Sequence, residues 1–285
     1  MPLAATGELV AAAAAARGAV AAFNVITLEH IEAVIAGAER VDAPVVLQVS
    51  ENAVKFRHGR VLPLARAAAE AAERAAVPVA LHLDHVRDDD LLRQAARAGF
   101  SSVMYDAARL PYQENLAATR AATDWAHAQG LWIEAELGRI GGKNGEAPPD
   151  PHAPGARTDP GEAAAFVADS GVDALAVAIG STHAMTTRTA ALDHGLLKRL
   201  SATLDVPLVL HGSSGLPDEE LTGAVAGGIA KVNIGTALNV AMTGAIREFL
   251  AAHPTAADAR TYLGAGRDAM AGAVARLIRV LGAVP

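Results

Sequence analysis

Eight short apolar runs, separated by longer helical stretches, constrain the fold of this chain more than any other feature of its sequence. Runs in which nearly every residue is apolar are typical of buried parallel strands rather than of strands with one face in water. Their alternation with helical patterns also favours parallel pairing. The predicted strands cover residues 20–27, 44–50, 78–85, 102–107, 131–138, 174–180, 207–213 and 231–236.

The stretches between these strands are alanine-rich and amphipathic. Pro160 directly after Asp159 is suited to the first turn of a helix. Eight strand–helix units within 285 residues predict an α/β fold, a (β/α)8 TIM barrel that forms a single domain over residues 1–285. A doubly wound open sheet is the alternative. The other predicted helices cover residues 9–20, 29–41, 59–75, 89–99, 111–130 and 216–228.

Composition excludes several classes of function. The net charge is −7 and there is no basic run, so nucleic acid and anionic membranes are not expected partners. The chain has no cysteine, so a bound metal would need histidine or carboxylate ligands. The sequence shows neither a signal peptide nor a run of about 18 strongly apolar residues. These features predict a cytoplasmic protein that does not enter a membrane.

The segment 138–160 interrupts the regular alternation, because it is long and rich in glycine and proline. Such segments are usually functional lids or disordered connections. Its position directly after an acidic strand end favours a lid over residues 139–157.

Polar residues stand at the carboxyl ends of nearly all the predicted strands, where active sites of barrels lie. A single histidine at a strand end is more often a hydrogen-bonded structural residue than a metal ligand. Here His85, His183 and His211 follow three separate strands, and together they could supply three nitrogens to one Zn²⁺, with Glu136 as a further ligand. The other polar residues at these ends are Asn24, Ser50, Asp84, Asp106, Glu134 and Asn233.

Three of the polar residues in and after these strands have two interpretations. His82 is expected inside the barrel or beside a metal ligand, which it would orient. Asp106 and Glu134 would orient ligands in the same way, or they are simply buried, hydrogen-bonded carboxylates.

Two loops near the end of the barrel predict a phosphate site. "HGSSG" (211–215) and "NIGT" (233–236) offer glycines, hydroxyl groups and free backbone N–H groups. Loops after strands seven and eight frequently bind phosphate in barrels, because N–H groups at turns and helix N-termini attract anions.

Nine sequence motifs together resemble the class II, metal-dependent ketose-bisphosphate aldolases, which include fructose- and tagatose-bisphosphate aldolases. The resemblance runs in order from about residue 20 to 270. It implies a TIM barrel, Zn²⁺, a dihydroxyacetone phosphate site, a sugar-phosphate substrate and a homodimer or homotetramer. The motifs are "AFNV", "LQVS", "ALHLDH", "GFSSVMYDA", "EAELGRIGG", "TDP", "DALAVAIGSTH", "PLVLHGSSGLP" and "KVNIGT".

The resemblance also implies roles for individual residues. His85, His183 and His211 match the zinc ligands, and Asp84 matches the aspartate that transfers a proton as general acid and base. In that mechanism Zn²⁺ polarises the ketone and stabilises the enediolate. Arg260 matches an arginine that meets the second phosphate. Asn24, Ser50 and Asn233 match residues that line the site, and Gly212, Ser213 and Ser214, with Asn233, Gly235 and Thr236, match the site of the ketone-side phosphate.

The chain departs from the family pattern mainly in the predicted lid. Asn144 stands where the family has a glutamate that moves the C3 proton of dihydroxyacetone phosphate, and Glu146, two residues later, is the candidate replacement. Ala184 replaces a glycine beside the phosphate, where the family's backbone also approaches an ion, so a monovalent cation is a second candidate cofactor. Thr27 and Ala237 replace an asparagine and a frequent acidic residue.

The sequence therefore supports a class II aldolase that cleaves a ketose (bis)phosphate reversibly to dihydroxyacetone phosphate and an aldehyde. Because a fold does not fix a function, another metal-dependent sugar-phosphate enzyme, such as an epimerase or hydrolase, is an alternative. A third hypothesis is a sugar-phosphate-binding barrel that is non-catalytic or has altered specificity.

Overall fold

Eight parallel strands pair in chain order and close into a barrel, with the first strand hydrogen-bonded to the eighth. The structure, a computed structural model, describes residues 3–138, 140–141 and 156–282. Closure confirms the predicted TIM barrel and excludes the doubly wound open sheet. The strands are Val20–Asn24 (β1), Val45–Ser50 (β2), Val79–Val86 (β3), Ser102–Tyr105 (β4), Trp132–Leu137 (β5), Ala174–Val177 (β6), Leu208–Leu210 (β7) and Ile229–Ile234 (β8).

The helices surround the barrel, apart from the first, which contacts the strands at their amino ends. None of the helices in the described residues is both long and apolar enough to cross a membrane. They are Thr6–Ala15 (α1), Leu28–Glu39 (α2), Glu51–Phe56 (α3), Leu62–Glu73 (α4), Asp89–Leu92 (α5), Ala95–Ala98 (α6), Tyr112–Ala128 (α7), Pro160–Ser170 (α8), His194–Thr203 (α9), Asp218–Ala226 (α10), Thr236–Ala252 (α11) and Ala259–Leu281 (α12).

All eight strands overlap their predicted ranges, but several end earlier, and β8 already begins at Ile229. β6 stops at Val177 because the next backbone N–H, that of Ala178, donates to the Thr158 hydroxyl at 2.8 Å. The predicted helix 9–20 is wrong at both ends: α1 covers Thr6–Ala15, and Val20 already belongs to β1. The predicted helix 89–99 is two one-turn helices, α5 and α6.

The strands bury apolar side chains on their outer face, against the helices. Phe23, Leu47, Leu81 and Val232 belong to this continuous core. Burial of one large apolar side chain stabilises the fold by about 1.5–3 kcal/mol. This layer holds the strands in register and so fixes the positions of the residues that face inward.

The inward faces of the strands divide into two regions. The lower interior, towards the amino ends of the strands, is formed by small apolar residues that pack against Val10 of α1. The upper interior is polar and buried. The lower set comprises Val20, Ala22, Val46, Ala80 and Ala230, and the upper set comprises Gln48, Asp84, Glu134, Glu136, His211, Lys231 and Asn233.

Candidate active site

A cavity of about 270 Å³ opens at the carboxyl ends of the strands. Most of the residues that the sequence analysis assigned to a site line it. Glu51, Asn52 and Arg87, which the sequence analysis did not single out, line it as well. The predicted residues in its wall are Asn24, Ser50, Asp84, His85, His183, Gly212, Ser213, Ser214, Asn233, Gly235 and Thr236.

Three imidazoles and one carboxylate form a cluster, and two of these imidazoles, those of His85 and His183, line the cavity. His85, Glu136, His183 and His211 each offer one ligand atom, and these atoms all lie within 4.8 Å of one another. The ring centroids of the histidines are 4.8–5.8 Å apart, with the rings edge to face. The four residues come from different strands or strand ends, so the barrel itself brings them together.

Within the described residues, His85 has one ring nitrogen beside a carboxylate and His211 has both. His85 Nδ1 lies 3.1 Å from Asp106 Oδ2, and His211 Nε2 lies 2.7 Å from Glu134 Oε1. Carboxylates in this position orient metal-binding histidines and leave the second nitrogen for the ion. Nδ1 of His211 faces Glu136 at 3.2 Å. The donor set of three imidazoles with a carboxylate therefore fits Zn²⁺.

The charge on His211 depends on its carboxylate neighbours. Burial disfavours the imidazolium, but the hydrogen bonds to Glu134 and Glu136 raise the pKa of His211 to about 9. Burial also opposes ionisation of Glu134, yet Lys231 and His211 hold the pKa of Glu134 well below its usual range. A metal that binds His211 must therefore displace a proton at neutral pH.

An irregularity in β3 explains how the adjacent Asp84 and His85 both reach the site. The pairing of β3 with β4 shifts register between Leu83 and Val86, and His85 adopts a left-handed backbone with φ 51°. Such a bulge re-aims a side chain that would otherwise point to the outer face. Ala184, beside His183, has φ 59°, a value that strains any residue except glycine.

Asp84 is buried among amide groups. Asn24 Nδ2 donates to its Oδ2 at 2.9 Å, and Asn233 Nδ2 approaches its Oδ1 at 3.5 Å. Burial raises the pKa of Asp84, but the imidazoles of His85 and other neighbours outweigh it and lower the pKa below its ordinary value. Asp84 is therefore an anion able to accept a proton.

The loops after β7 and β8 form the opposite wall. Gly212 has φ 66°, and a Cβ there would lie 2.7–2.9 Å from the backbone of Thr182, so only glycine fits. Ser213 Oγ donates to the carbonyl of Asn233 at 2.6 Å, which joins the two loops. α11, a helix of 17 residues, begins at Thr236 on the cavity wall.

Among the predicted site residues that the structure describes, Arg260 alone belongs neither to the cavity wall nor to the cluster of three histidines and Glu136. Arg260, on α12, has a side chain that is 90% exposed and pairs with Asp258 at 2.6 Å. Glu146 and the rest of the predicted lid between 142 and 155 lie outside the described residues. His82 is fully buried inside the barrel, as predicted, and its Nδ1 lies 2.7 Å from the Ser102 hydroxyl.

Two residues that were not predicted as part of the site, Lys231 and Gln48, are fully buried in the upper interior. The signal for Lys231 is a lysine in the apolar run "IAKVNI", where no charged side chain is expected without a partner. Arg87 carries a weaker signal, since it lies two positions after the end of the "LDH" motif.

The model of the family described as fructose-bisphosphate aldolase class-II matches residues 4–284. The chain belongs to this family. Solved structures agree. The YdjI aldolase from Escherichia coli K12 is 31% identical over 99% of this chain and 98% of its own, with a TM-score of 0.84.

Two further structures are similar to the chain. A putative fructose-1,6-biphosphate aldolase from Coccidioides immitis is 30% identical over 98% of this chain and 96% of its own, with a TM-score of 0.85. The fructose-bisphosphate aldolase from Campylobacter jejuni is 24% identical over 99% of this chain and 96% of its own, with a TM-score of 0.83, and shows the shared fold.

Proposed function

We propose that this protein is a zinc-dependent aldolase that reversibly cleaves a ketose (bis)phosphate to dihydroxyacetone phosphate and an aldehyde. The observation that carries the proposal is that His85 and His183 line one cavity with the ionised Asp84, and that the buried His211 packs edge to face against both of these histidines. A cytoplasmic location, a homodimer or homotetramer and a single domain over 1–285 belong to the same proposal.

The metal would be held by His85, His183 and His211, with Glu136 at the fourth position. When bound, Zn²⁺ acts as a Lewis acid on the ketone oxygen. Asp106 and Glu134 hold the ring planes of two ligands in place. A monovalent cation near Ala184 is a further part of the proposal that follows from the family resemblance.

Asp84 would take the proton of the C4 hydroxyl during cleavage and return it during condensation. The amide N–H groups of Asn24 and Asn233 hold the carboxylate oxygens, so the carboxylate keeps one orientation. The C3 proton needs a second base, for which Glu146 remains the candidate from the sequence.

The ketone-side phosphate would bind between the loops after β7 and β8. Backbone N–H groups near Gly212 and at the start of α11 attract an anion, and Ser213 and Ser214 stand beside them. Asn24, Ser50, Gly235 and Thr236 complete the wall around the sugar.

Arg87 is the candidate partner for a second anionic group. It follows β3, which lies across the eight-stranded barrel from β7, and it lines the same cavity as Ser214. Among the residues that the structure describes, Arg87 forms no ion pair. A substrate bound by its first phosphate near Ser214 would therefore extend towards Arg87.

The substitution Arg87→Met tests this assignment. We expect KM for a ketose bisphosphate to rise about 10- to 100-fold, the worth of one hydrogen-bonded charge, while KM for the corresponding monophosphate stays constant. Arg66→Met, on the exposed surface of α4, is the matched control. An equal rise for both substrates would remove Arg87 from recognition of the second anion.

The function itself is tested by a coupled assay for triose phosphate release over a panel of ketose phosphates. We expect release that a chelator abolishes and Zn²⁺ restores. Release that is indifferent to the chelator would contradict the metal. Metal-dependent conversion without triose phosphate would favour another sugar-phosphate enzyme, and binding without turnover would favour a sugar-phosphate-binding protein.

A further inference from the structure

The ammonium group of Lys231 lies inside the barrel, fully buried, and its three hydrogen-bonding directions are all used. Nζ donates to Gln48 Oε1 at 2.9 Å, to Glu134 Oε2 at 2.8 Å and to Asn233 Oδ1 at 2.8 Å. An ammonium carries three donors and no acceptor. Each of its partners must therefore present an oxygen to it.

This requirement fixes the orientation of two side-chain amides. Because the oxygens of Gln48 and Asn233 face Lys231, their NH₂ groups must point elsewhere. Asn233 Nδ2 then points to Asp84 Oδ1 at 3.5 Å. Gln48 Nε2 points to Asn24 Oδ1 at 3.4 Å.

The orientation of Asn24 follows in turn. Its oxygen accepts from Gln48, so its own NH₂ group faces Asp84 Oδ2 at 2.9 Å. Both oxygens of Asp84 thus receive N–H donors, although Lys231 does not touch Asp84. A flipped amide at either position would present an oxygen to the carboxylate and repel it.

The third hydrogen bond of Lys231, to Glu134, connects it to the histidine cluster. Glu134 accepts from Lys231 on Oε2 and meets His211 Nε2 through Oε1 at 2.7 Å. The lysine therefore neutralises the carboxylate and holds it at His211. One buried cation is linked to both the proposed proton carrier and one proposed ligand.

We propose that Lys231 is a positioning residue whose ammonium sets the orientation of the Gln48, Asn24 and Asn233 amides and thereby the orientation of the Asp84 carboxylate. The proposal rests on the proposed aldolase function for its kinetic consequence, but its structural part concerns the amides alone. Lys231 itself is fully buried and belongs neither to the cavity wall nor to the cluster of three histidines and Glu136.

Removal of Lys231 alone is a poor test, because it leaves Glu134 buried without its cation, which is strongly destabilising. The informative variant is the pair Lys231→Met with Glu134→Gln. It removes both charges, and the amide introduced in place of the carboxylate keeps an oxygen for His211. Lys198→Met, on the exposed side of α9, is the matched control.

We expect the double variant to bind one Zn²⁺, to keep its KM and to lose kcat by about 10- to 100-fold, because the amides no longer hold Asp84 in one orientation. In NMR spectra with ¹⁵N-labelled protein, the side-chain NH₂ signals of Asn24 and Asn233 should be sharp and slowly exchanging in the wild type. They should be averaged or rapidly exchanging in the variant.

Wild-type kcat in the double variant would overturn the proposal, since the lysine would then only balance the charge of Glu134. Unchanged amide signals would overturn it independently of any activity. If the wild type shows no aldolase activity, the proposed function fails, and the amide signals still decide the role of Lys231.

A second variant covers the case in which the double variant does not fold. Gln48→Met removes only the hydrogen bonds that connect Lys231 to Asn24 through Gln48, and it keeps the Lys231–Glu134 ion pair. We expect it to disturb the NH₂ signal of Asn24 and to leave that of Asn233 unchanged, with a smaller fall in kcat. If neither signal changes, the proposed connection from Lys231 through Gln48 to Asn24 is contradicted.

Discussion

The lower and upper interiors of the barrel are built by the same strands and differ completely in chemistry. The lower interior is apolar and closed by α1, whereas the upper interior concentrates buried charges around Lys231 and His211. An apolar cluster stabilises the fold by burial, which is a non-directional effect. A buried polar group, in contrast, must be paired with a specific partner. The comparison teaches that stability and chemistry are assigned to opposite ends of each strand, as expected for a barrel enzyme.

The substitution Asp84→Asn in the upper interior should have the largest effect on turnover and so should distinguish the two regions most clearly. We expect zinc to remain bound and turnover to fall by roughly 10²- to 10⁴-fold, the usual contribution of a positioned acid or base. Metal analysis together with the triose phosphate assay measures both. Loss of zinc along with activity would mean that Asp84 serves the structure of the site instead.

The lower interior should respond in the opposite way. Val46 is fully buried among Val20, Ala80 and Val10, so Val46→Ala should lower the free energy of unfolding by about 2 kcal/mol through lost packing. Turnover at a temperature where the variant is folded should not change. Urea unfolding measures the first effect, and Val240→Ala, half-exposed on α11, is the control. A large fall in kcat would contradict the division of the barrel.

On β3, His82 lies between Ala80 of the lower interior and Asp84 of the upper interior. Its titration tests whether this position is buried and uncharged in the folded state. Burial lowers the pKa of His82 to about 3, so the folded chain keeps it neutral. Below the unfolded pKa of about 6.5 the unfolded chain binds a proton that the folded chain does not. Stability therefore falls as the pH falls from about 6.5 towards 3.

The matched pair is wild type and His82→Gln, which keeps a hydrogen bond to Ser102 and does not titrate. The free energy of unfolding of the wild type should fall relative to that of the variant by about 1.4 kcal/mol for each pH unit below about 6.5. Titrating groups remote from His82 are common to both proteins and cancel, whereas Asp84, Glu134 and His211 interact electrostatically with His82 and contribute to the difference. Parallel pH profiles would show that His82 is charged or accessible in the folded state.

The fold was largely predictable because strand periodicity and order are local properties. The apolar runs located every strand, and a closed barrel was the economical way to bury eight of them. The apolar runs do not show where a strand stops hydrogen-bonding to its neighbours in the sheet. The Thr158 hydroxyl accepts a hydrogen bond from the N–H of Ala178, which ends β6. Arg17, with a left-handed backbone (φ 55°), ends the first helical segment. Hydrophobic periodicity shows neither feature.

The candidate site was predictable only in part, for a related reason. Polar residues at strand ends indicated His85, His183 and His211, since all parallel strands end on one side. The contact of Lys231 with Glu134 joins residues 97 positions apart across the barrel interior. It depends on closure and on the register shift between β7 and β8, which a single sequence does not specify.

The most direct test of the account is exchange of the C3 proton of dihydroxyacetone phosphate with solvent, because this half-reaction does not require the identity of the aldehyde. The zinc-loaded protein in D₂O, followed by proton NMR, should replace one C3 proton, lose this activity with a chelator and regain it with Zn²⁺. If the zinc-loaded protein, saturated with dihydroxyacetone phosphate, exchanges no C3 proton, the aldolase assignment is contradicted.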